Sequence, residues 1–257
     1  MGQDVWSPAQ YERFRDERAQ PFFDLMALVR PSHRMSVLDL GCGTGELTRL
    51  LHERLQALET LGIDNSPKML EKSEAHAADG LTFQLGDIAD FRSAPRFDLI
   101  FSNAALQWVP GHEKVLDSLT SSLRNGGQLA IQMPANYDHP SHTVAAEVAA
   151  EEPFREALGA HVRRSPVLEP ERYALLLDRL GYRGQHVQLH VYGHHLASRE
   201  EVVEWVKGTL LTDYQRRLPV ELYDEFLASY RARLLPRLDD THPYFFIFKR
   251  ILLWAAR

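Results

Sequence analysis

The chain has 257 residues, 44% of them hydrophobic and 25% charged, with one cysteine and a net charge of −6. That balance excludes collagen-like, coiled-coil and disordered classes, and a single thiol excludes an internal disulfide or a cysteine-rich metal site. The acidic excess lies within the first 150 residues, no basic face is clustered, and no apolar run reaches the roughly 18 residues of a membrane span. Neither a nucleic acid nor a bilayer is therefore expected as a partner.

Met1 to Asp16 is charged and has no apolar stretch, so no secretory leader is expected. With the lone Cys42, a reducing, cytoplasmic setting is the natural expectation. Pro8 to Val29 reads as a helical segment, broken at Pro21. From about residue 35 to 133, short apolar runs alternate with helical patterns, the signature of βα units in a parallel sheet. Strands are predicted at Ser36–Leu40, Glu59–Ile63, Leu81–Leu85, Phe97–Phe101 and Gln128–Met133. Between them, one helix follows Gly45, with Leu47, Leu50, Leu51 and Leu55 on one face. Another opens at Ser66-Pro67, a cap followed by proline at the first helical position. A third runs from His112 to Leu123, with Asn125-Gly126-Gly127 as its stop. Further on, Thr143–Leu158, Glu169–Leu180, Ser198–Leu211 (capped by Ser198) and Val220–Leu235 read as helices, and His186–Tyr192 as a strand. Tyr244–Ala255 reads as a final sheet strand, with a buried helix as the alternative.

Val37-Leu38-Asp39-Leu40-Gly41-Cys42-Gly43-Thr44-Gly45 is a strand running into a glycine-rich turn that opens a helix. Alternate glycines permit positive φ and let a ligand approach the backbone. Such a loop at a strand's carboxyl end is a nucleotide-type site. Nineteen residues after Gly45 stands Asp64, placed to accept hydrogen bonds from both ribose hydroxyls. A dinucleotide would satisfy that spacing too, but its fingerprint wants glycine where Glu46 stands, and a carboxylate there repels a pyrophosphate. Gly86-Asp87-Ile88 adds an acid that an adenine amino group could donate to. A ribose and an adenine without a phosphate are what the loop prefers. Asp39 reads either as part of this site or as a brace for the turn. Cys42 reads as a small residue in a crowded loop, and Asp90 and Asp98 as solvated acids.

The successive runs VLDLGCGTGELT, GIDNSPKML, GDIADF and FDLIFSNAALQWVP resemble the motifs of class I S-adenosylmethionine-dependent methyltransferases. The resemblance implies a Rossmann-like α/β fold: a seven-stranded, mostly parallel sheet with helices on both faces and a helical cap. It implies S-adenosyl-L-methionine as cofactor, with S-adenosyl-L-homocysteine released. The cofactor-binding residues it implies are Asp39, Gly41, Gly43 and Gly45 at the loop, Asp64 and Asn65 at the ribose, Asp87 and Ile88 at the adenine, and Asn103 and Ala104 at the methionyl end. Residues 31–136 would be the cofactor-binding core, 1–30 a helical segment covering the site, and 137–257 helical cap insertions plus the last two strands, in one compact unit with the core. The helices around 140–165 and 198–240 would form a lid.

Asn103–Pro110, Ala130–Asn136 and Trp205–Thr209, with Trp6-Ser7-Pro8, Tyr11 and Tyr230, further resemble the trans-aconitate 2-methyltransferases, nearly end to end. That implies a monomethyl ester formed on a small polycarboxylate. A carboxylate is already ionised at neutral pH, so attack on a sulfonium methyl needs alignment and exclusion of water but no general base. No catalytic dyad or triad is expected, and no metal; His190, His194 and His195 read as a solvated strand edge. Acceptor-side candidates are Trp6, Tyr11, Gln107, Trp108, Gln132, Asn136 and His142, with Arg18, Arg164 and Arg216 as carboxylate clamps. Trp108 and Trp205 read equally as packing. One departure stands out: where that family continues after Gly-Thr with Leu-Arg-Pro, Leu211 is followed here by Thr212-Asp213. Arg216 or Arg217 could compensate. Other acceptors, such as a malonyl thioester or a quinone-like ring, stay open, as does a non-catalytic S-adenosylmethionine-binding protein. The expected partner is a small-molecule carboxylate and the expected state a monomer.

Overall fold

The computed structural model describes residues 15–159 and 165–257, with side chains from residue 19 onward. Trp6, Tyr11 and Arg164 lie outside the described residues, as does the side chain of Arg18. In chain order the helices are α1 (Arg15–Leu28), α2 (Glu46–Leu55), α3 (Pro67–Ser73), α4 (His112–Ser122), α5 (Pro140–Ala149), α6 (Phe154–Ala157), α7 (Pro170–Arg179), α8 (Glu200–Lys207), α9 (Leu210–Arg217) and α10 (Val220–Leu234). The strands are β1 (Ser36–Leu40), β2 (Glu59–Asp64), β3 (Leu81–Leu85), β4 (Phe97–Asn103), β5 (Leu123–Pro134), β6 (Gly184–Leu196) and β7 (Tyr244–Ala256).

The seven strands form one sheet in the order β3-β2-β1-β4-β5-β7-β6. β3, β2, β1, β4 and β5 pair in parallel, and β7 returns antiparallel to β5. The chain winds outward from β1 through β2 and β3, then resumes on the other side at β4. This puts the topological switch at the carboxyl ends of β1 and β4, where open α/β sheets bind ligands. All five residues of β1 are buried, which is why the strand reads as an unbroken apolar run interrupted only by Asp39.

Two compact units divide the chain. The sheet unit holds Ala19–Ala135, Pro166–His190 and Arg250–Arg257. Its core includes Leu38, Leu40, Ile100, Leu129, Ile131, Tyr173, Leu177, Ile251 and Leu253. The second unit holds the described parts of Asn136–Ser165 and Val191–Lys249. It packs Val144, Val148, Trp205, Tyr214, Phe226, Tyr230, Phe246 and Phe248 into its own core. The division differs from the expected boundaries: 166–190 and the last eight residues belong with the sheet, as does Ala19 to Val29.

Local chemistry accounts for most element ends. α2 buries Thr48, Leu51 and Leu55, one face at helical spacing. Ser66 caps α3 as expected, its Oγ accepting from the Met69 N–H at 3.3 Å, with Pro67 in the first turn. The C-terminal run is a strand, settled by its register against β5 from Gln128–Ala256 to Pro134–Arg250.

Several expectations are corrected. Pro21 does not break α1; the buried Phe22 and Leu25 hold the helix, with Phe22 edge-on to Phe101 at 5.4 Å. Burying two large apolar side chains offsets the roughly 3 kcal/mol cost of an internal proline. Asn125-Gly126-Gly127 does not end α4, which stops at Ser122. Instead β5 begins at Leu123 opposite Phe97, and the next pair is Leu99 with Gln128. Gly126, at φ 78°, lets the intervening residues loop out. The helix expected over 143–158 is two, α5 and α6, separated before Pro153, which has no N–H to give. That expected over 198–211 is also two, α8 and α9, parted at Gly208-Thr209, and α8 is capped at Arg199 rather than Ser198. β6 is longer than expected because Gly193 admits the Phe245 ring; a Cβ there would lie 2.2 Å from it. Asp98 is not a solvated acid: it accepts from the Ser36 N–H at 2.7 Å and from Arg124 at 2.9 Å, tying β1, β4 and β5 together. Among the described residues no helix is long and apolar enough to cross a membrane.

Candidate functional site

The loop after β1 carries three glycines in the left-handed region, Gly41, Gly43 and Gly45, at φ 75°, 56° and 81°. Two of them are glycine because the fold leaves no room. A Cβ on Gly41 would lie 2.2 Å from the Cβ of Ala105, and one on Gly45 would lie 2.7 Å from the Phe83 ring. Gly43 differs, since a Cβ there would meet nothing within 4 Å among the described residues. The loop apex thus lies clear of the described residues, and its glycine serves conformation, at φ 56°.

The loop is pinned from β2. The N–H groups of Gly41 and Cys42 donate to the Ile63 carbonyl at 2.8 and 3.0 Å. Asp64, half-buried, accepts from the Gly43 N–H at 2.9 Å on one oxygen and from the Ser66 N–H at 2.9 Å on the other. A carboxylate oxygen is acceptor-only, the chemistry a ribose hydroxyl donor needs. Beyond β3, Asp87 accepts from the Ala89 N–H at 2.8 Å and from Asn65 Nδ2 at 3.4 Å, so the sequence-predicted residues of two neighbouring strand ends meet. Ile88 is buried, and its Cδ1 lies 3.8 Å from where a Cβ of Gly41 would be.

Asp39 is corrected from a ligand contact to a brace. Its carboxyl is 5% exposed and accepts from Thr48 Oγ1 at 2.6 Å, joining the end of β1 to α2. Burial, opposed by the Thr48 hydrogen bond and aided by the charge of Asp64, raises its pKa from 3.8 to about 7. Cys42 is buried as well, and burial together with the nearby carboxylates of Asp39 and Asp64 pushes its thiol far up. It stays protonated and is no nucleophile.

At the end of β4, Ala104 stands in the left-handed region at φ 56°, uncommon for a residue with a Cβ and typical of functional turns. Its N–H donates to the Gln132 carbonyl at 2.9 Å, and its carbonyl accepts from Gln107 Nε2 at 2.6 Å. Gln107 Oε1 is buried without a hydrogen-bond partner among the described residues, an acceptor held ready in the wall beside Ala104. The short turn Leu106–Trp108 is anchored by His112, whose Nε2 meets the Leu106 carbonyl at 2.9 Å and whose Nδ1 meets the Tyr173 hydroxyl at 2.5 Å. Burial lowers the pKa of His112, keeping it neutral in that role.

Two acceptor-side candidates are spent internally. Gln132 is fully enclosed, its amide taken by Asn103, Met133 and Arg250. Asn136 is 1% exposed, with Oδ1 accepting from the Lys249 N–H at 3.1 Å and Nδ2 donating to the Ile247 carbonyl at 3.5 Å. Both are positioned as supports and not as ligand contacts. His142 is half-buried beside Ser141 Oγ at 3.1 Å. Arg216 is exposed in the last turn of α9, and Arg217 pairs with Asp213 at 3.0 Å. Thr212 is buried and donates to the Thr209 carbonyl at 2.5 Å. Trp205, 1% exposed, packs on Phe246, Phe248 and His194, so it is a core residue. Arg250, 5% exposed, was missed; a cation inside the apolar run YFFIFKRILLWA was the signal.

Comparison with known proteins places the chain in a family. A family model described as a methyltransferase domain matches residues 31–172. A trans-aconitate 2-methyltransferase of Deinococcus radiodurans is 42% identical over 259 residues, covering 98% of each chain. One from Variovorax paradoxus is 40% identical, covering 96% of this chain and 94% of its own. Among solved structures, the YcgJ protein of Bacillus subtilis superposes with a TM-score of 0.61 at 16% identity, covering 93% of this chain and 98% of its own. The chain belongs to the methyltransferase-domain family and, within it, to the same full-length family as these bacterial relatives.

Proposed function

We propose that this methyltransferase moves the methyl group of S-adenosyl-L-methionine onto a carboxylate of trans-aconitate, or a closely related small polycarboxylate, giving a monomethyl ester and S-adenosyl-L-homocysteine. The observation that carries the reading is the likeness, over 98% of both chains, to a relative bearing that activity in its name.

The residues present fit an adenosyl donor. A glycine with room for a Cβ among the described residues stands at Gly43, an acceptor-only acid stands at Asp64, and Asp87 with the apolar Ile88 lies one strand further. Glu46 at the start of α2 disfavours a pyrophosphate in the same place. Bound there, the donor supplies an electrophilic methyl group. Gly41, Gly43 and Gly45 let the loop backbone pass close to it, Asp64 and Asn65 take the ribose, Asp87 and Ile88 the adenine, and Asn103 with Ala104 the amino-acid end. Gln107 and Trp108 face the acceptor. The acceptor oxygen is anionic at neutral pH, so these residues have only to align and desolvate it.

Thr212 favours a second reading. The position that carries arginine in the family pattern is here an enclosed threonine, which suits an acceptor with fewer carboxylates, such as a malonyl thioester. An acceptor screen with radiolabelled methyl donor, covering trans-aconitate, cis-aconitate, isocitrate and malonyl thioesters, tests both. Label transferred to trans-aconitate far faster than to the others supports the first reading; preferential transfer to a thioester replaces it with the second.

A further inference from the structure

A row of polar side chains on three adjacent strands, β4, β5 and β7, crosses the sheet unit at the carboxyl edge of its parallel strands. Asn103 ends β4 and is the register partner of Gln132 on β5. Arg250 on β7 stands opposite Pro134, two residues beyond Gln132 and on the same face. Gln132 is fully enclosed and Arg250 nearly so.

The direction of the hydrogen bonds along this row is fixed by chemistry. Two groups that can only donate, the Met133 N–H and the Arg250 guanidinium, face one end of the Gln132 amide at 3.1 and 3.0 Å. That end must be the carbonyl oxygen. The other end is then the NH2 and donates to Asn103 Oδ1 at 2.8 Å. With its oxygen turned toward Gln132, half-buried Asn103 turns its Nδ2 the other way, as a donor for a ligand. A donor at this spot selects an acceptor. On the methyl-transfer reading, the amino-acid end of the donor and the acceptor both carry carboxylates that can accept from it.

We infer that Gln132 and Arg250 are positioning residues that lock Asn103 as a hydrogen-bond donor toward a carboxylate bound at the carboxyl edge. The identity of the ligand rests on the methyl-transfer reading above. The carboxylate has two sources, the amino-acid end of the methyl donor or the acceptor, and the test separates them.

Gln132→Glu is the informative change. The new carboxylate still accepts from Met133 and Arg250 but has no NH2, so Asn103 must turn its own NH2 inward and present its oxygen to the ligand. The fold keeps its contacts, and thermal melting is expected at or above the wild-type temperature. Calorimetry with S-adenosylhomocysteine, calorimetry with 5′-methylthioadenosine, which lacks the amino-acid end, and the KM for trans-aconitate are the readouts. If the carboxylate is the donor's, S-adenosylhomocysteine binds at least tenfold more weakly while methylthioadenosine binds as before. If it is the acceptor's, both nucleosides bind as before and the KM rises at least tenfold. Asn103→Asp, which keeps the Gln132 bond but replaces the outward donor with an acceptor, should reproduce the effect and serves should the first variant fail to fold. The inference is overturned if both readouts stay within twofold in the folded variants, or if methylthioadenosine weakens as much as S-adenosylhomocysteine. Wild-type protein that binds neither nucleoside overturns the methyl-transfer reading itself, a distinct result.

Discussion

Asp39→Asn should stabilise the protein, and more so as pH rises. The folded chain encloses this carboxyl and raises its pKa from 3.8 to about 7, burial being the largest cause. Between about pH 4 and pH 7 the unfolded chain has released the proton and the folded chain retains it. Folding stability therefore falls through that window as pH rises, and the loss is complete above it. A shift of roughly three units at 1.36 kcal/mol each sets an upper bound of about 4 kcal/mol. Asparagine keeps an oxygen for Thr48 Oγ1 and removes the cost of ionisation. Urea denaturation of both proteins at pH 4.5 and pH 8 is the assay. The variant's advantage should grow by about 2–4 kcal/mol between the two, and its affinity for S-adenosylhomocysteine should be unchanged. Parallel pH profiles would refute the buried-acid reasoning, and a large loss of affinity would return Asp39 to the ligand surface.

Asp64→Ala should weaken S-adenosylhomocysteine binding by roughly 1–3 kcal/mol, the scale of hydrogen bonds to a charged group; unchanged calorimetric affinity would mean the ribose lies elsewhere. Gly41→Ala should destabilise the fold outright, because its Cβ would overlap that of Ala105, whereas Gly43→Ala should cost about 1 kcal/mol of stability and lower ligand affinity more. Comparable melting losses in the two variants would contradict the distinction. His139, whose pKa burial lowers from 6.5 to about 4, accepts the Ser141 N–H at 3.1 Å as the cap of α5. The unfolded chain protonates first here, so stability is lost as pH falls from about 6.5 to 4. His139→Asn, which keeps a capping oxygen, should flatten that limb in a denaturation series.

The βα half of the fold was legible because parallel strands buried on both faces leave apolar runs that the chain cannot disguise, as in SVLDL and FDLIF. The glycine loop was legible for a related reason: its left-handed conformations restrict the residue type. What escaped was set by partners distant in sequence. Asp98 looks like a surface acid until Ser36 and Arg124 are brought to it. Gln132 and Asn136 look like ligand contacts until neighbouring strands consume their amides. Pro21 carries a helix-breaking signal that the burial of Phe22 and Leu25 overrides. Asp39 was readable both ways, and only its enclosure with Thr48 decides between them.

The central claim, transfer of an activated methyl group to a carboxylate oxygen, is tested most directly by following the carbon itself. Protein incubated with 13C-methyl S-adenosylmethionine and trans-aconitate should yield, by NMR, a single methyl resonance in the ester range, together with one equivalent of S-adenosylhomocysteine. Its formation rate should be nearly flat from pH 6.5 to 8.5, since the acceptor needs no deprotonation. A methyl signal on carbon or nitrogen, or no transfer to trans-aconitate by folded protein that binds the donor, would contradict the account.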